Sequence, residues 1–173
     1  KVDLRTITDS PLKIIANLPY QISTILLLNW LTEEICNTNC KSLTLMFQKE
    51  VADRIIAHPG SKTRSKISFI TELFTNAKVV LNIPAGCFIP RPKVNSSLVH
   101  FEVLKKPKYQ CNLVELDQIL RFAFNQKRKM LKSSLKTLYP DVTKALNSAE
   151  IIGTERPETI DLYKFCNLSL LKK

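Results

Sequence analysis

The sequence predicts an α/β domain followed by a small all-helical domain. β-prone apolar runs alternate with helical runs up to residue 104, and only helical runs follow the basic stretch at 105–108. Alternating strands and helices favour a mostly parallel sheet, and the shift in composition favours a domain boundary at 104–111. We therefore expect an α/β domain over 1–107 and a helical domain over 108–173.

The individual elements follow from local sequence. The first strand, expected as a buried strand at 12–16, ends before Pro19, because proline has no N–H to donate to a ladder. A helix is expected next, over 22–34. Further elements are a strand at 42–47, helices at 48–57 and 67–74, β-rich stretches at 77–84 and 96–104, one or two helices within 113–138, and helices at 142–149 and 162–171. We expect the two β-rich stretches to pair as antiparallel neighbours at the sheet edge.

The charge of the chain points to a polyanionic partner. The net charge is +11, and residues 105–173 carry 14 basic and 7 acidic side chains against 12 and 8 in residues 1–104. Such an excess is typical of nucleic-acid-binding proteins. No apolar run approaches the roughly 18 residues that span a membrane, and no signal-peptide pattern opens the sequence. The missing initiator Met indicates a fragment or a processed chain.

Five scattered cysteines, at positions 36, 40, 87, 111 and 166, predict no metal site. Cys36 and Cys40 are spaced CxxxC, but no second pair and no nearby histidine completes a zinc site. Isolated buried thiols in a reducing compartment are the better interpretation. We therefore expect a cytoplasmic protein.

The stretch Asn17-Leu18-Pro19-Tyr20, which ends the first strand, suits methylation of an adenine amino group. An Asn side-chain oxygen and the carbonyl before a proline can accept both N6 hydrogens, which turns the nitrogen lone pair towards a methyl donor. A tyrosine ring can stack on a base lifted out of its surroundings, a contact worth about 1–3 kcal/mol. The structural alternative is an Asn that caps the following helix and a Tyr packed in the core.

Asn17-Leu18-Pro19-Tyr20 lies in the first of five motifs that together span nearly the whole chain. The motifs are IANLPYQIST (15–24), MFQKEVADRI (46–55), CFIPRPKVNSSLV (87–99), FAFNQKRKMLKSSL (122–135) and ERPETIDLYKF (155–165). In these motifs and in their order, the chain resembles the ribosomal small-subunit RNA adenine N6,N6-dimethyltransferases.

The resemblance implies an enzyme that uses S-adenosylmethionine to dimethylate two adjacent adenosines near the 3′ end of small-subunit ribosomal RNA. It implies a Rossmann-like class I methyltransferase domain, here incomplete at its amino terminus, followed by a helical RNA-binding domain. It also implies a monomer that acts on the immature small ribosomal subunit.

Two features depart from the family pattern. The glycine-rich cofactor loop and the acidic residue that grips the ribose are absent, and we expect both to lie upstream of Lys1. The chain alone is therefore expected to be inactive. The stretch at 60–71, GSKTRSKISFIT, also lacks the Tyr-Gly-Arg expected after Gly60.

The resemblance assigns roles by position. The implied catalytic set is Asn17, Leu18, Pro19, Tyr20 and Phe88. Asn17 resembles the acceptor of the substrate amine, which also lies against the cofactor, and Leu18 and Pro19 form the backbone turn. Tyr20 and Phe88 resemble the aromatic rings on the two faces of the target base, although Phe88 by itself could be an ordinary core aromatic. Arg91 and Lys93, in the same loop as Phe88, are expected to meet phosphate.

Residues 121–136 hold six basic and no acidic side chains. Drawn as one helix, the stretch has an apolar face formed by Leu120, Phe124, Leu131, Leu135 and Leu138. The adjoining basic face is formed by Arg121, Arg128, Lys129, Lys132 and Lys136. Such a stripe suits the phosphate backbone of RNA, and a merely solvated basic face is the alternative.

The acidic residues Glu50 and Asp53 are predicted to take no part in catalysis. They lie three residues apart on a helix beside Lys49 and Arg54, which is typical of surface ion pairs. Methylation of N6 needs no strong general base, because the proton can leave after the methyl group arrives.

Two alternative functions remain open. Large-subunit RNA methyltransferases that confer macrolide resistance share the strand-end motif and a similar PRPKVNS loop, although QKEVADRI and RPETIDLYKF favour the small-subunit family. A noncatalytic RNA-binding factor of ribosome assembly could use the same fold, although an intact Asn17-Leu18-Pro19-Tyr20 argues against lost catalysis.

Overall fold

The structure is a computed structural model that describes residues 10–34, 39–125 and 129–171. The chain divides into two compact units, each made of two segments. The first unit is formed by Lys1–Ile56 and Ile70–Lys108, and the second by Ala57–Phe69 and Tyr109–Lys173.

Four strands of the first unit form one mixed sheet. The strands are β1 (Leu12–Ala16), β2 (Cys40–Gln48), β3 (Thr75–Ile83) and β4 (Ser96–Val103). Their order in the sheet is β1-β2-β4-β3, with β1 and β2 parallel and the other two pairs antiparallel. The expected antiparallel pairing of the two late strands is confirmed, and β3 is the outermost strand on that side.

The prediction of a mostly parallel sheet is wrong for the described strands. Only the β1–β2 ladder is parallel, because β3 and β4 are joined by the loop at 84–95 and run back along each other. β4 inserts between β3 and β2, so it lies antiparallel to both neighbours. The order of the strands in the sheet cannot be predicted from the alternation of strands and helices along the sequence.

The helices follow the expected order with small shifts at their ends. They are α1 (Tyr20–Asn29), continued by a π-helical stretch (Trp30–Glu34), α2 (Lys49–Ile55), α3 (Lys66–Phe74), α4 (Leu113–Asn125), α5 (Leu131–Leu135), α6 (Val142–Ser148) and α7 (Leu162–Leu170). Short 3₁₀ turns lie at Ala85–Cys87 and Pro157–Thr159. None of the helices in the described ranges has the length and apolar character that a membrane crossing requires.

The core of the first unit is built on the central strands β2 and β4. Leu43 lies opposite Phe101 and Leu45 opposite Val99, and all four side chains are fully buried. The rings of Phe47 and Phe101 meet edge to face at 6.1 Å between centroids. Cross-strand apolar pairs of this kind stabilise a sheet and hold its register.

β1 differs from the buried strand that the sequence predicts. None of its five side chains is fully buried, and Ile15 is 83% exposed. The reason is position, because β2 is the one strand that pairs with β1 within the described part of the chain. An apolar run indicates that the side chains of a strand can be buried, but it does not indicate which element buries them.

The second unit has a helical core. Leu116, Ile119, Leu120 and Ala123 recur with helical spacing on α4, and all four are fully buried. Phe165 and Leu168 of α7 are equally buried. Apolar residues at this spacing bury one stripe of a helix, and Leu120 is the one member of the α4 set that also lies on the apolar face predicted from the sequence.

The segment Ala57–Phe69 belongs to the second unit, although the predicted boundary places it in the first domain. The Gly60 N–H donates to the Glu158 carbonyl at 2.8 Å, and Gly60 has the positive φ of 84° that glycine tolerates best. The Arg64 guanidinium donates to the Ile160 carbonyl at 2.8 Å and lies 4.0 Å from the centroid of the Phe69 ring. The predicted division into two continuous domains stays a prediction.

Candidate active site

The turn between β1 and α1 presents the residues of the candidate site. Pro19 is the N-cap of α1, and its carbonyl accepts hydrogen bonds from the N–H groups of Ile22 and Ser23, both at 3.1 Å. The Ser23 hydroxyl donates to the Tyr20 carbonyl at 3.1 Å. Proline suits the N-terminal end of a helix, because the N–H it lacks would have no intrahelical partner there.

A cavity of about 350 Å³ opens beside this turn. Its lining is formed by Asn17, Leu18, Pro19, Tyr20, Met46, Phe88, Pro90 and Pro92. The structure therefore brings all five residues of the predicted catalytic set to one cavity, although Phe88 lies far along the chain from the others. Met46, Pro90 and Pro92 were not singled out from the sequence.

Asn17 and Tyr20 do not behave as the structural alternative requires. α1 has no side-chain cap, and neither the Asn17 side chain nor the Leu18 carbonyl makes a hydrogen bond within the described part of the chain. Tyr20 is only half-buried, and its ring lines the cavity. Two acceptors and one aromatic ring thus remain available at the end of β1.

Hydrogen bonds fix both ends of the loop that carries Phe88. The Ala85 N–H donates to the Asn95 side-chain oxygen at 3.0 Å, and the Lys49 N–H donates to the Asn95 carbonyl at 2.9 Å. Phe88 caps the 3₁₀ turn in an extended conformation, with φ −118° and ψ 146°. Asn95 therefore connects both sides of this loop to the start of α2.

Met46 belongs to the site through its place near the end of β2. β1 and β2 are parallel, so their carboxyl ends meet at one edge of the sheet, where ligands of open α/β sheets bind. A sequence signal existed, because Met46 opens the second family motif. Spacing alone could not separate it from the buried residues Leu45 and Phe47 beside it.

The expected RNA-contact residues of the Phe88 loop do not line the cavity. Arg91 and Lys93 are both exposed in the segment that connects Phe88 to β4. Exposed cations beside an apolar cavity can meet the phosphates that flank a bound base. Their role stays a prediction.

The basic stretch is not one continuous helix. α4 ends at Asn125, Lys129 lies outside any helix, and α5 begins at Leu131. The helical wheel drawn across the stretch is therefore wrong, although Leu131 and Leu135 are buried as expected. The predicted cations Lys129, Lys132 and Lys136 are exposed, and Arg128 lies outside the described residues.

Arg121 has an acidic partner that the 121–136 window did not include. Its guanidinium donates to the Asp117 carboxylate at 3.1 Å, one helical turn earlier, and Lys66 also pairs with Asp117. Partial burial acts to raise the pKa of Asp117, but the hydrogen bonds from Lys66 and Arg121 outweigh it and hold that pKa below its ordinary value. Arg121 is thus a weaker candidate for phosphate than the exposed lysines.

The surface pairing predicted for the acidic residues of α2 is confirmed. The Lys49 ammonium donates to both Asp53 carboxylate oxygens at 2.9 Å, and Arg54 pairs with Glu50. Both pairs have the i, i+4 spacing of helix surface pairs. Neither carboxylate lines the cavity.

The cysteines are less uniform than the sequence indicates. Cys40 and Cys166 are buried, but Cys87 is exposed and Cys111 is half-buried, so the interpretation of all five as buried thiols is wrong. Cys36 lies outside the described residues. The described ranges contain no group of three or more His, Cys, Asp or Glu side chains that could hold a metal ion.

The mixed sheet flanked by helices, with this cavity at the carboxyl ends of β1 and β2, has an α/β methyltransferase-like fold, which solved methyltransferase structures share. The sequence model of the ribosomal RNA adenine dimethylase family matches residues 3–171, and the chain belongs to that family.

Named relatives agree with this assignment. Ribosomal RNA small subunit methyltransferase A of Paracoccus denitrificans is 43% identical over 159 residues, which is 92% of this chain and 56% of the relative. The protein of the same name from Roseobacter denitrificans is 41% identical over 169 residues, which is 98% of this chain and 60% of the relative. The chain thus spans 56% to 60% of the length of these two relatives.

Solved structures match the fold. A dimethyladenosine transferase from Plasmodium falciparum has a TM-score of 0.76 and 26% identity, over 99% of this chain and 70% of that one. The 23S rRNA methyltransferase ErmE has a TM-score of 0.64 and 20% identity, over 94% of this chain and 65% of that one. The second match shows a common fold alone.

Proposed function

We propose that the protein dimethylates N6 of two adjacent adenosines near the 3′ end of small-subunit ribosomal RNA, with S-adenosylmethionine as methyl donor. The observation that carries the proposal is the cavity at the end of β1, which combines Asn17, Leu18, Tyr20 and Phe88. Membership of the adenine dimethylase family and the names of the relatives support the same reaction.

The residues at the end of β1 would orient the reacting nitrogen. The Asn17 side-chain oxygen and the Leu18 carbonyl each accept one N6 hydrogen, which directs the nitrogen lone pair away from the ring plane. Both acceptors are available, because neither makes a hydrogen bond within the described part of the chain. Tyr20 and Phe88 would hold the base by stacking on its two faces.

No general base is needed in this chemistry. The amine becomes positively charged when the methyl group arrives, and its proton is then acidic enough to leave to water. The carboxylates of Glu50 and Asp53 do not line the cavity, and Arg54 and Lys49 engage them. Rate enhancement would come from positioning and from exclusion of water around the base.

The residues present fit one part of a cofactor site. S-adenosylmethionine supplies an electrophilic methyl group when it is bound. Asn17 fits its reactive end, because this exposed polar side chain lies at the carboxyl end of β1, where such ligands bind. The chain has three glycines and no glycine-rich turn, so other residues must hold the rest of the cofactor.

Binding of the RNA would use both units. Arg91 and Lys93 would contact phosphates beside the target base, and the exposed Lys129, Lys132 and Lys136 would contact the backbone elsewhere. Residues 108–173 would form a small helical RNA-binding domain that follows a Rossmann-like class I domain in the sequence. We further infer a cytoplasmic monomer that acts on immature small subunits.

The test is transfer of labelled methyl groups to undermethylated small ribosomal subunits. The extended protein, which carries about 100 further residues upstream, is compared with Lys1–Lys173. We expect labelled dimethyladenosine from the extended protein and none from Lys1–Lys173 alone. Absence of label from both, with RNA binding retained, would favour a noncatalytic assembly factor.

Asn17→Ala in the extended protein separates catalysis from binding. It should lower methyl transfer by at least about a hundredfold, since it removes an acceptor that orients the reacting amine. Binding to immature small subunits should stay within about twofold, because phosphate contacts dominate affinity. An equal loss of binding would contradict the role of Asn17.

A further inference from the structure

The hydroxyl groups of Tyr20 and Ser96 share a hydrogen bond of 2.7 Å, and either of them can be the donor. The two residues are 76 positions apart in the chain. We propose that Ser96 is a positioning residue for the methyl-transfer reaction, which it serves by holding the Tyr20 ring in place to stack on the target adenine. This inference rests on the proposed function.

Ser96 is built to be a rigid anchor. It is the first residue of β4, where its backbone pairs with Gln48 of β2 on one side and Ile83 of β3 on the other. Its side chain is fully buried. A hydroxyl group fixed in this way transfers the rigidity of the sheet to its partner.

Tyr20 needs such an anchor. Tyr20 is the first residue of α1, and it lines the cavity and is only half-buried. Packing against neighbouring residues therefore restrains only part of its ring. Rotation about the first side-chain bonds would move the ring away from the base. The hydrogen bond at the far end of the ring opposes that rotation, and thereby keeps the stacking face in one orientation before the RNA binds.

The neighbouring residue Ser97 offers a matched control. It is fully buried as well, and its hydroxyl donates to the Asn82 side-chain oxygen at 2.7 Å. Side chains of consecutive strand residues point to opposite faces, so Ser97 lies away from Tyr20. Ser97→Ala removes a hydrogen bond that is partly buried, like the one between Tyr20 and Ser96, and Ser97 does not line the cavity.

The experiment measures methyl transfer by the extended protein under steady-state conditions. Ser96→Ala should lower kcat by about threefold to tenfold, the rate equivalent of one lost hydrogen bond. KM for the RNA should change by less than about twofold, because phosphate contacts supply most of the affinity. Ser97→Ala should retain wild-type kcat, with a shift in thermal midpoint like that of Ser96→Ala.

Tyr20→Phe extends the test to the other end of the same hydrogen bond. It keeps the stacking ring, so it should reproduce the kcat loss of Ser96→Ala. The double variant should be no slower than either single variant, because both changes remove one interaction. Multiplied losses, or wild-type kcat in Ser96→Ala, would overturn the inference. If the unmutated extended protein transfers no methyl groups, the proposed function itself fails.

Discussion

Arg64 carries a positive charge into a fully buried position of the second unit. Its guanidinium bonds to the Ile160 carbonyl and lies over the face of the Phe69 ring. A buried cation is tolerated only when hydrogen bonds and aromatic faces replace its hydration. Arg64 therefore ties Ala57–Phe69 to the segment that precedes α7.

We expect Arg64→Met to lower the free energy of unfolding by about 2–4 kcal/mol, because it leaves the Ile160 carbonyl without this donor. Arg121→Met is the control, since the Arg121 side chain is 71% exposed and should contribute less than about 0.5 kcal/mol. Urea denaturation measures both. Equal effects of the two substitutions would contradict the structural role of Arg64.

Tyr139 predicts a pH dependence of stability. Burial, with a smaller contribution from the Glu115 carboxylate, raises the pKa of Tyr139 above its ordinary value. The hydroxyl donates to the Leu168 carbonyl at 3.1 Å, a bond that requires the neutral phenol. The unfolded chain releases the phenol proton at a lower pH than the folded chain does, so this contribution is complete below about pH 10 and is lost as pH rises further.

The measurement is urea denaturation of wild type and Tyr139→Phe at about pH 9 and about pH 11. Phenylalanine cannot ionise, so the variant should lose less stability over this interval than wild type. The difference between the two proteins removes the contribution of the many lysines that titrate in the same interval. An equal loss of unfolding free energy between the two pH values in wild type and Tyr139→Phe would contradict the raised pKa of Tyr139.

At the scale of elements, the spacing of residues along the chain predicted most of the strands, helices and turns that interactions between near neighbours determine. The strand β1, the turn at Pro19 and the ion pairs of α2 could be predicted from the sequence. Each of them depends on residues that are at most a few positions apart in the chain. The helical wheel across 121–136 failed, because α4 ends at Asn125 and the phase of the wheel does not continue into α5. Spacing along the chain cannot report such an interruption.

Exposure separates two strands with equally apolar sequences. Leu45 is fully buried on β2, whereas Val80 on the outermost strand β3 is 47% exposed. Leu45→Ala should lower the free energy of unfolding by about 2–5 kcal/mol, and Val80→Ala by less than about 1 kcal/mol. Thermal or urea denaturation checks the order, and a larger effect at Val80 would contradict the sheet order β1-β2-β4-β3.

At the scale of the whole molecule, the net charge of +11 favours an RNA partner, and the number of lysines that contact phosphates sets the response of RNA binding to salt. Each lysine that contacts a phosphate releases counterions, which adds about 0.7–0.9 to the slope of log affinity against log salt concentration. Lys132→Gln and Lys136→Gln should each reduce the slope by about this amount. Lys78→Gln, on β3, is the control.

Filter binding to immature small subunits at several salt concentrations would measure these slopes. Unchanged slopes in Lys132→Gln and Lys136→Gln would mean that these lysines form a solvated basic face, the alternative that the sequence left open. An equal reduction in Lys78→Gln would mean that charge acts without regard to position. Either result would contradict the proposed RNA surface of the second unit.

The sequence by itself determined the family, the turn that ends β1 and the residue types available for chemistry, because motifs and turns depend on neighbours in the chain. Only the tertiary structure decided which distant residues complete the site. Met46 enters the cavity from β2, Phe88 from the loop before β4, and Ser96 reaches Tyr20 because β4 inserts beside β2. Strand order and burial arise from contacts between residues far apart in the chain. The spacing of neighbouring residues therefore cannot predict them.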